Sequence, residues 1–382
     1  MDKDRFFFRK RNQIISKLKD LPYSAILLLS IAVSLGLVMM YSAAQGSFKP
    51  WAYKQLFRFI VLFPVMIIIA LIDIRKIFRI SYIAYFTVLF MLFIVEIYGS
   101  TAMGATRWID LGIIKLQPSE LMKISLVLAL AKYFHNITQQ DAWRTWSLIP
   151  PLVISIVPFL LIVKQPDLGT GLILIFVAGT IFFLAGVRLW KFAAIILSSI
   201  AIMPFVWKLL HEYQKKRIIT FLNPENDPLG AGYNIIQSKI AIGSGGLIGK
   251  GLLNGSQTQL NFLPEHQTDF VFTMLAEELG FVTCIALLIV YFILIYMGIL
   301  IAVNSRSHYG RLLASGAVSI FFIHTFINIA MVTGMLPVVG APLPLISYGG
   351  TIMTTILVGF GLIFNVHIHR NVAIGQNSKD IF

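Results

Sequence analysis

The sequence predicts an all-α polytopic membrane protein of about ten transmembrane helices. Apolar residues fill 57% of its 382 positions and charged residues only 13%. Soluble domains are roughly 45–50% apolar and about 25% charged. The mean hydropathy is +0.82. The apolar excess falls in runs of roughly 16 to 25 residues, the length of helix that crosses a hydrocarbon layer of about 30 Å.

These runs are predicted to be helices because a spanning segment must satisfy its own backbone hydrogen bonds, and the alternating pattern of barrel strands is missing. In chain order the predicted spans are Leu21–Tyr41, Tyr53–Ile72, Ile80–Ile97, Ser119–Phe134, Leu148–Val163, Leu168–Val187, Phe192–Leu210, Phe270–Val303, Leu312–Met335 and Thr351–Val366.

Both termini are expected in the cytoplasm. In this orientation the inner loops and tails carry 18 Lys and Arg residues and the short outer loops carry five, a bias that marks the cytoplasmic side. The predicted layout is a basic cytoplasmic tail (1–20), a transmembrane domain (21–366) and a second cytoplasmic tail (367–382). A large extracytoplasmic loop, 208–268, joins the seventh and eighth spans. Topology and attraction to anionic lipids account for the net charge of +14, so we expect no nucleic-acid partner.

The spans before the large loop are recognised by apolar length and by the residues at their ends. The first run is longer than the apolar core of a signal peptide, so we expect it to be retained. The fourth begins at 117–120 (Gln-Pro-Ser-Glu), where an early proline and an acidic residue are typical of a helix start. Glu120 and Lys123 are three positions apart and can pair across one turn. Lys164 and Asp167 bring opposite charges to the junction of the fifth and sixth runs.

The large loop is long enough to hold structure of its own. Residues 223–228 have turn chemistry, and Tyr233–Ile242 has apolar residues at helical spacing, which predicts a short helix at the membrane surface. The glycine-rich stretch 243–251 lacks the spacing of a phosphate-binding P-loop, since Ser244 and Gly251 occupy two of its key places. We expect a tight turn or a close backbone approach there. Phosphate binding by exposed amides remains the alternative.

The eighth span begins with an unusual density of ionisable residues, which are costly near lipid unless they are solvated or partnered. If a helix begins near Asp269, then Asp269, Thr273 and Glu277 lie on one face, four residues apart each time. Helix capping would explain Asp269 but not Glu277 and Glu278, two turns further on. A catalytic or substrate-binding role for Asp269 is therefore favoured.

The remaining polar residues of the spans have simpler interpretations. His324 and Asn328, four positions apart on the ninth span, are expected to form helix-to-helix hydrogen bonds. The prolines at 337, 342 and 344, followed by Ser-Tyr-Gly-Gly at 347–350, predict a rigid outer loop with a flexible end. Three charged clusters are predicted at one depth near Arg107: Glu120 with Lys123, Lys164 with Asp167, and the start of the eighth span. This arrangement suggests a shared cavity open to the outside. Cys284 is the single cysteine, so neither a disulfide nor a thiolate metal site is expected.

Five segments, in order along the chain, resemble the SEDS family (shape, elongation, division and sporulation). They are GATRWIDLGIIKLQPSELMK at 104–123, KQPDLGTG at 164–171, NPENDPLGAGYNIIQSKIAIGSGGLIGKGLLN at 223–254, FLPEHQTDFVFTMLAEELG at 262–280 and GAPLPLISYGG at 340–350.

The resemblance implies a peptidoglycan glycosyltransferase of the bacterial cytoplasmic membrane. Such an enzyme polymerises lipid II, an undecaprenyl-pyrophosphate-linked disaccharide peptide, on the outer side. It works with a class B penicillin-binding protein and with other membrane proteins of the elongation complex. The PLGAGYN and FTMLAEE segments favour the elongation branch over the division branch.

The family's essential aspartate falls on Asp269, which would act as the general base of an inverting reaction. The departing pyrophosphate needs cationic stabilisation, which leaves Lys123, Arg107, Lys164 and a divalent cation (Mg or Mn) as alternatives. The expected substrate-binding residues are Arg107, Glu120, Lys123, Lys164, Asp167, Glu265, Thr268, Glu277 and Ser347.

Two other functions remain open on the sequence. A transporter or lipid flippase would also need a polar cavity among helices, but the chain shows no paired repeats with matched broken helices. A non-enzymatic scaffold for wall-building partners would need no catalytic carboxylate.

Overall fold

A helix coincides with each predicted span in the computed structural model, which describes residues 15–102, 105–110, 115–209, 212–227, 230–256 and 266–375. The helices are α1 Tyr23–Ala43, α2 Trp51–Leu71, α3 Ile74–Tyr98, α4 Pro118–Asn136, α5 Gln139–Trp143, α6 Ile149–Lys164, α7 Leu168–Leu184, α8 Leu189–Leu209, α9 Glu212–Leu222, α10 Ala231–Ser244, α11 Val271–Val303, α12 His308–Val332 and α13 Gly350–Ile368. Short 3₁₀ turns lie at Trp146–Leu148 and Pro224–Asn226.

Many of these helices can cross a membrane. Within the described ranges seven are long and apolar enough by length and composition, namely α1, α2, α3, α6 with its preceding turn, α11, α12 and α13. The α7 helix and residues 189–205 of α8 are shorter apolar helices. The α4 helix carries Glu120, Lys123 and Lys132 and is therefore more polar than the helices of the other predicted spans. The all-α polytopic class is confirmed, and the count of ten crossings stays a prediction.

The centre of the bundle is formed by α4, α12 and α13. About four-fifths of the spanning windows of α12 and α13 are buried inside the protein (78% each), and α4 packs against α3, α7, α12 and α13. Most polar residues on these three helices therefore face protein rather than lipid. The α8 helix instead exposes most of its apolar side chains, as a lipid-facing helix does.

A small antiparallel sheet connects α3 to α4 at the end of the bundle where α11 begins. This end is called the outer end below, because the sequence predicts that it faces outward. Its strands are β1 Ser100–Ala102, β2 Ala105–Asp110 and β3 Lys115–Leu116, in the order β1-β2-β3. The sequence predicts only a loop here. The β2 strand carries Arg107 and so fixes where that side chain can reach.

The α11 helix is broken at Gly280, which has non-helical backbone angles (φ 77°, ψ −178°). Its 33 residues would span about 50 Å as one straight helix, well beyond a hydrocarbon layer of about 30 Å. The part after the break is long enough to cross on its own. The first part, 271–279, is thereby set apart at the outer end, and it carries Glu277 and Glu278.

A second segment inserts its backbone at this break. In the glycine loop (residues 245–251), Lys250 N donates to Glu277 O at 3.0 Å and Gly251 N to Glu278 O at 3.0 Å. In return, the amides of 281 and 282 donate to the carbonyls of 246 and 247 at 3.0 and 3.1 Å. The close approach predicted for the glycine-rich stretch is confirmed.

Only glycine fits at this junction. A Cβ on Gly280 would lie 2.3 Å from the amide nitrogen of Gly249, and one on Gly249 would lie 2.2 Å from the carbonyl oxygen of Glu278. Both glycines also have positive φ, which side chains disfavour. Gly249 and Gly280 therefore serve backbone packing.

Gly280→Ala is expected to lower the free energy of unfolding by about 2 kcal/mol or more, because backbone strain adds to a steric clash. Gly179→Ala is the matched control, since a Cβ there meets no atom within 4 Å and alanine favours helix. Thermal unfolding of the purified variants, followed by tryptophan fluorescence, compares them. Equal stability of the two variants would contradict this account of the break.

Candidate active site

Asp269 lies in a turn (residues 266–270) that leads into α11, and the backbone of this turn is held from outside. The amide of Tyr348 donates to Gln267 O at 2.9 Å, and Ser347 Oγ donates to Thr268 O at 2.5 Å. Ser347 is buried, and its Oγ also accepts from the Leu343 amide at 2.7 Å. The loop before α13 therefore fixes two successive carbonyls of the turn.

The third successive carbonyl, that of Asp269 itself, accepts from Asn328 Nδ2 at 2.9 Å. The same amide group donates to Ala341 O at 2.6 Å, so α12 ties the turn to the loop. Gly340 lies beside the carboxylate, since a Cβ there would be 3.5 Å from Asp269 Oδ2. The helix-to-helix hydrogen bonding predicted for Asn328 is therefore wrong in its partner, because its amide binds the backbone of a turn and a loop.

The α11 helix begins at Val271, one residue after the start of the predicted span and two residues after Asp269. Its N-cap residue is Phe270, so Asp269 does not occupy the capping position. The side chain of Asp269 is only partly buried, whereas Phe270 and Val271 are buried. A partly exposed carboxylate on a rigid backbone at the outer end suits a group that meets a substrate.

Thr273 and Glu277, the other two residues of the predicted helix face, point into the protein. Thr273 is fully buried, and its hydroxyl lies 2.7 Å from Ser238 Oγ. Ser238 Oγ also donates to Val332 O at 2.7 Å. Thr273 therefore links α11 to α10 and α12.

Glu277 is fully buried and bound by two groups that follow α10. Its Oε1 lies 2.7 Å from Lys250 Nζ and accepts from Ser256 Oγ at 3.1 Å. Neighbouring Glu278 accepts from Ser42 Oγ of α1 at 2.5 Å. These partners were not identified from the sequence; only Lys250 stood out, as part of the glycine-rich stretch. The two carboxylates anchor the elements around Asp269.

Glu120 and Lys123 form the predicted one-turn pair on α4, with Lys123 Nζ 2.6 Å from Glu120 Oε1. The structure adds His324 of α12, whose Nε2 lies 2.5 Å from Lys123 Nζ. The Lys123 side chain is fully buried. This ammonium group is therefore committed to protein partners inside the bundle.

Arg107 and Asp167 are brought together at the outer end. Arg107 Nε donates to Gln165 O at 3.3 Å, and another guanidinium nitrogen binds Pro166 O. Its Nη1 lies 3.8 Å from Asp167 Oδ1, and Asp167 Oδ2 accepts from Gln117 Nε2 at 3.1 Å. Arg107 thereby pins β2 to the junction of α6 and α7.

Lys164 lies apart from these groups. Its ammonium pairs with Glu96 at the end of α3, and its side chain is 71% exposed. Glu265 falls outside the described residues. Within the described ranges, no three His, Cys, Asp or Glu side chains cluster as metal ligands would.

The Asp269 turn and the Lys123 pair are neighbours along α12. Asn328 contacts the turn and His324 contacts Lys123, and four residues of helix rise about 6 Å. One face of α12 thus contacts both the Asp269 turn and the Lys123 pair, near the outer end of the bundle.

An apolar groove of about 540 Å³ opens beside this face, between α7 and α12. It is lined by Gly169, Leu172, Phe176, Thr180, Phe322, Ile323, Phe326, Ile327, Leu336, Pro337 and Val339. Val339 is the chain neighbour of Gly340, which lies against Asp269. The groove therefore leads from the lipid side of the bundle toward the candidate carboxylate.

Comparison with known proteins places these residues in a family. The FTSW_RODA_SPOVE profile, described as cell cycle protein, matches residues 23–372. Peptidoglycan glycosyltransferase MrdB of Escherichia coli K12 is 44% identical over 290 residues, which cover 75% of this chain and 78% of that protein. Stage V sporulation protein E of Bacillus subtilis is 40% identical over 269 residues, covering 70% and 73%.

Solved structures share the fold. The rod shape determining protein RodA of Thermus thermophilus aligns with a TM-score of 0.70 and 27% identity, covering 92% of this chain and 98% of that one. A chain from a structure describing how a peptidoglycan synthase complex coordinates polymerisation and crosslinking aligns at 0.79 with 29% identity. That alignment covers 92% of this chain and 98% of the other.

Lys123→Met is expected to destabilise the protein strongly, because it leaves the Glu120 carboxylate buried without its cation. Breaking such a pair costs about 3–5 kcal/mol, whereas removing both charges is far milder. The double variant Glu120→Gln/Lys123→Met should therefore recover much of the lost stability. Lys164→Met is the control, because an exposed pair contributes at most about 1 kcal/mol. Thermal unfolding of the four proteins tests this, and a double variant less stable than Lys123→Met would contradict it.

Proposed function

Since the chain belongs to the SEDS family of FtsW, RodA and SpoVE cell cycle proteins, we propose that it is a peptidoglycan glycosyltransferase of the RodA type. It polymerises lipid II into glycan strands on the outer side of the bacterial cytoplasmic membrane, for cell elongation. The 44% identity to MrdB and the shared fold with a rod shape determining protein support the elongation branch. Relatives named FtsW are 34–38% identical, so the division branch is less favoured than the elongation branch.

The observation that carries this proposal is the rigid turn that presents Asp269. Three consecutive carbonyls are hydrogen-bonded to α12 and the loop before α13, so the backbone that carries the carboxylate is held in place before substrate arrives. Preorganised groups of this kind are what catalysis requires. The side chain of Asp269 is partly exposed, as a group that meets a sugar hydroxyl must be.

The proposed reaction is a single displacement with inversion at the anomeric carbon. The 4-hydroxyl of the acceptor sugar attacks that carbon, and its proton passes to the Asp269 carboxylate. A new glycosidic C–O bond forms as the bond to the pyrophosphate oxygen breaks, and polyprenyl pyrophosphate departs. A positioned base typically contributes about 10²–10⁴-fold to the rate.

The lipid-binding part of the site is assigned to the groove between α7 and α12. Its wall is almost entirely apolar, and it runs from the lipid side toward Val339, next to the Asp269 turn. A polyprenyl chain has the matching chemistry. Bound there, it would bring its pyrophosphate to the level of the turn while the tail stays in the membrane.

The partner is a class B penicillin-binding protein, the transpeptidase that cross-links the new strands. Support comes from the neighbour solved in a peptidoglycan synthase complex that coordinates polymerisation with crosslinking. Coupling the two activities keeps new strands close to the enzyme that joins them.

Asp269→Asn should abolish polymerisation, lowering the rate by at least about 10²-fold, because the amide cannot accept the proton. The assay follows glycan strands made from lipid II by purified protein in detergent or vesicles. Glu225→Gln is the matched control, as this exposed carboxylate lies on the large loop. Normal polymer from the folded Asp269→Asn protein would rule out the base assignment.

A vesicle assay separates this function from transport. Lipid II that crosses the bilayer without any polymer, in both wild type and Asp269→Asn, would favour a flippase instead. Polymer formed by the wild type alone supports the glycosyltransferase.

The partner proposal predicts that a co-expressed class B penicillin-binding protein from the same organism co-purifies with the chain. Asp269→Asn should bind it as well as the wild type does, because the substitution removes a proton acceptor and leaves the helices unchanged. Co-elution in size-exclusion chromatography measures this. Loss of the complex in Asp269→Asn, with the protein still folded, would mean that Asp269 serves assembly rather than chemistry.

A further inference from the structure

The cations predicted to stabilise the departing pyrophosphate are already engaged. Lys123 is bound by Glu120 and His324, Arg107 holds two backbone carbonyls and Asp167, and Lys164 pairs with Glu96. Binding an anion there would compete with these contacts. A different cation, one without a carboxylate, is the better place to look.

Arg58 is such a cation. It lies on α2, within a span, and no carboxylate pairs with it in the part of the chain that the structure describes. Its guanidinium carbon lies 4.6 Å from the centre of the Tyr348 ring, and Nη2 donates to Tyr348 Oη at 3.3 Å. Its Nη1 is buried and has no hydrogen-bond partner among the described residues. A buried charged donor left without an acceptor is costly, so the site is incomplete as it stands.

The amino end of α13 adds a second positive potential at the same place. A Cβ on Gly350, the first residue of α13, would lie 3.2 Å from Arg58 Nε. The first-turn N–H groups of a helix have no intrahelical acceptor and carry the positive end of its dipole. The N-cap residue Gly349 has no side chain to satisfy them. A guanidinium against a helix amino end repels it, and an anion between them removes that repulsion.

The surroundings indicate an anion that belongs to a lipid. Phe57, Ile60 and Val61 flank Arg58 on α2 and are 60%, 58% and 49% exposed, on the lipid-facing side of the helix. Arg58 lies about 10 Å along the helix axis from the start of α2, so the apolar side chains beside it lie at the depth of the membrane. A soluble anion alone would leave this apolar surface uncovered.

The site is also joined to the candidate carboxylate. Tyr348, which packs on the guanidinium, donates its amide to Gln267 O in the Asp269 turn at 2.9 Å. Gln55, one turn before Arg58, donates to Ser347 O at 2.9 Å. An anion at Arg58 therefore lies one loop away from the group proposed to perform the chemistry.

We propose that Arg58 and the first turn of α13 bind a phosphate group carried by a membrane lipid. The identity of the ligand rests on the proposed function: the phosphate group is the pyrophosphate of a polyprenyl-linked substrate. This substrate enters from the α2 side of the Asp269 turn. Arg58 acts as a binding residue through charge-assisted hydrogen bonds, and Tyr348 holds its guanidinium in place.

The test measures binding apart from catalysis. Purified chain in phosphatidylcholine nanodiscs is titrated with undecaprenyl pyrophosphate, followed by native mass spectrometry. Arg58→Gln should weaken binding about tenfold or more, as expected for the loss of a charged hydrogen-bond donor. Arg58→Lys should retain part of the affinity. Lys49→Gln, which removes an exposed cation just before α2, should leave it unchanged. Equal affinity of Arg58→Gln and wild type would overturn the proposal.

Three further arms exclude a structural role and identify the ligand. If Arg58 only tethers Tyr348, then Arg58→Gln and Tyr348→Phe lower kcat alike while undecaprenyl pyrophosphate binds normally, which overturns the proposal. If phosphatidylglycerol competes as well as undecaprenyl pyrophosphate, the substrate assignment is wrong. Inorganic pyrophosphate should compete only weakly, because it lacks the apolar chain.

These outcomes are separable from the proposed function. If undecaprenyl pyrophosphate binds in an Arg58-dependent way but the protein makes no polymer, the binding site is supported and the glycosyltransferase function is rejected. If the protein makes polymer but binding does not depend on Arg58, the glycosyltransferase function is supported and the Arg58 site is rejected. Support for both requires that Arg58→Gln raises the KM for lipid II about tenfold or more, while a folded Asp269→Asn protein still binds undecaprenyl pyrophosphate.

Discussion

The hydrogen bonds on the carbonyls of Gln267, Thr268 and Asp269 are the constraint on which the site depends. Each comes from a different residue, and the three donors lie 59 to 81 positions along the chain from their acceptors. A turn held in this way cannot shift without losing contacts to α12 and to the loop before α13. Contacts with the bundle thus hold the backbone that carries the Asp269 carboxylate at the outer end.

The same end of the bundle holds several buried charged side chains, and each of them binds a residue of a distant element. Glu277 binds Lys250 after α10, and Glu278 binds Ser42 on α1. A buried carboxylate is stable only with such partners. The break at Gly280 supplies the geometry, because it lets the glycine loop pair with the exposed backbone of α11. Charge burial and backbone packing therefore fix the same joint.

The helices could be predicted from sequence because a spanning segment carries its own signal, an apolar run with charged ends. The neighbours of Asp269 on α11 could be predicted from helical spacing. Their partners could not, since Lys250 and Ser42 are 27 and 236 positions away and nothing local marks them. The small sheet was missed because strands this short depend on pairing rather than on a periodic pattern. Arg58 was passed over as one charge in an apolar run, and its contact with Tyr348 spans 290 positions.

Under the proposed function, the loop before α13 would let one carboxylate serve two lipid-linked substrates. It begins on the α7 side, where Val339 packs on Gly169 beside the apolar groove. It passes Asp269 at Gly340 and ends on the α2 side, where Tyr348 covers Arg58. A reaction that joins two membrane-anchored sugars needs both lipid tails in the bilayer at once, and two tails cannot share one groove. With the two proposed entrances on opposite sides of the turn, the sugars would meet over Asp269 while each tail keeps its own path into the membrane.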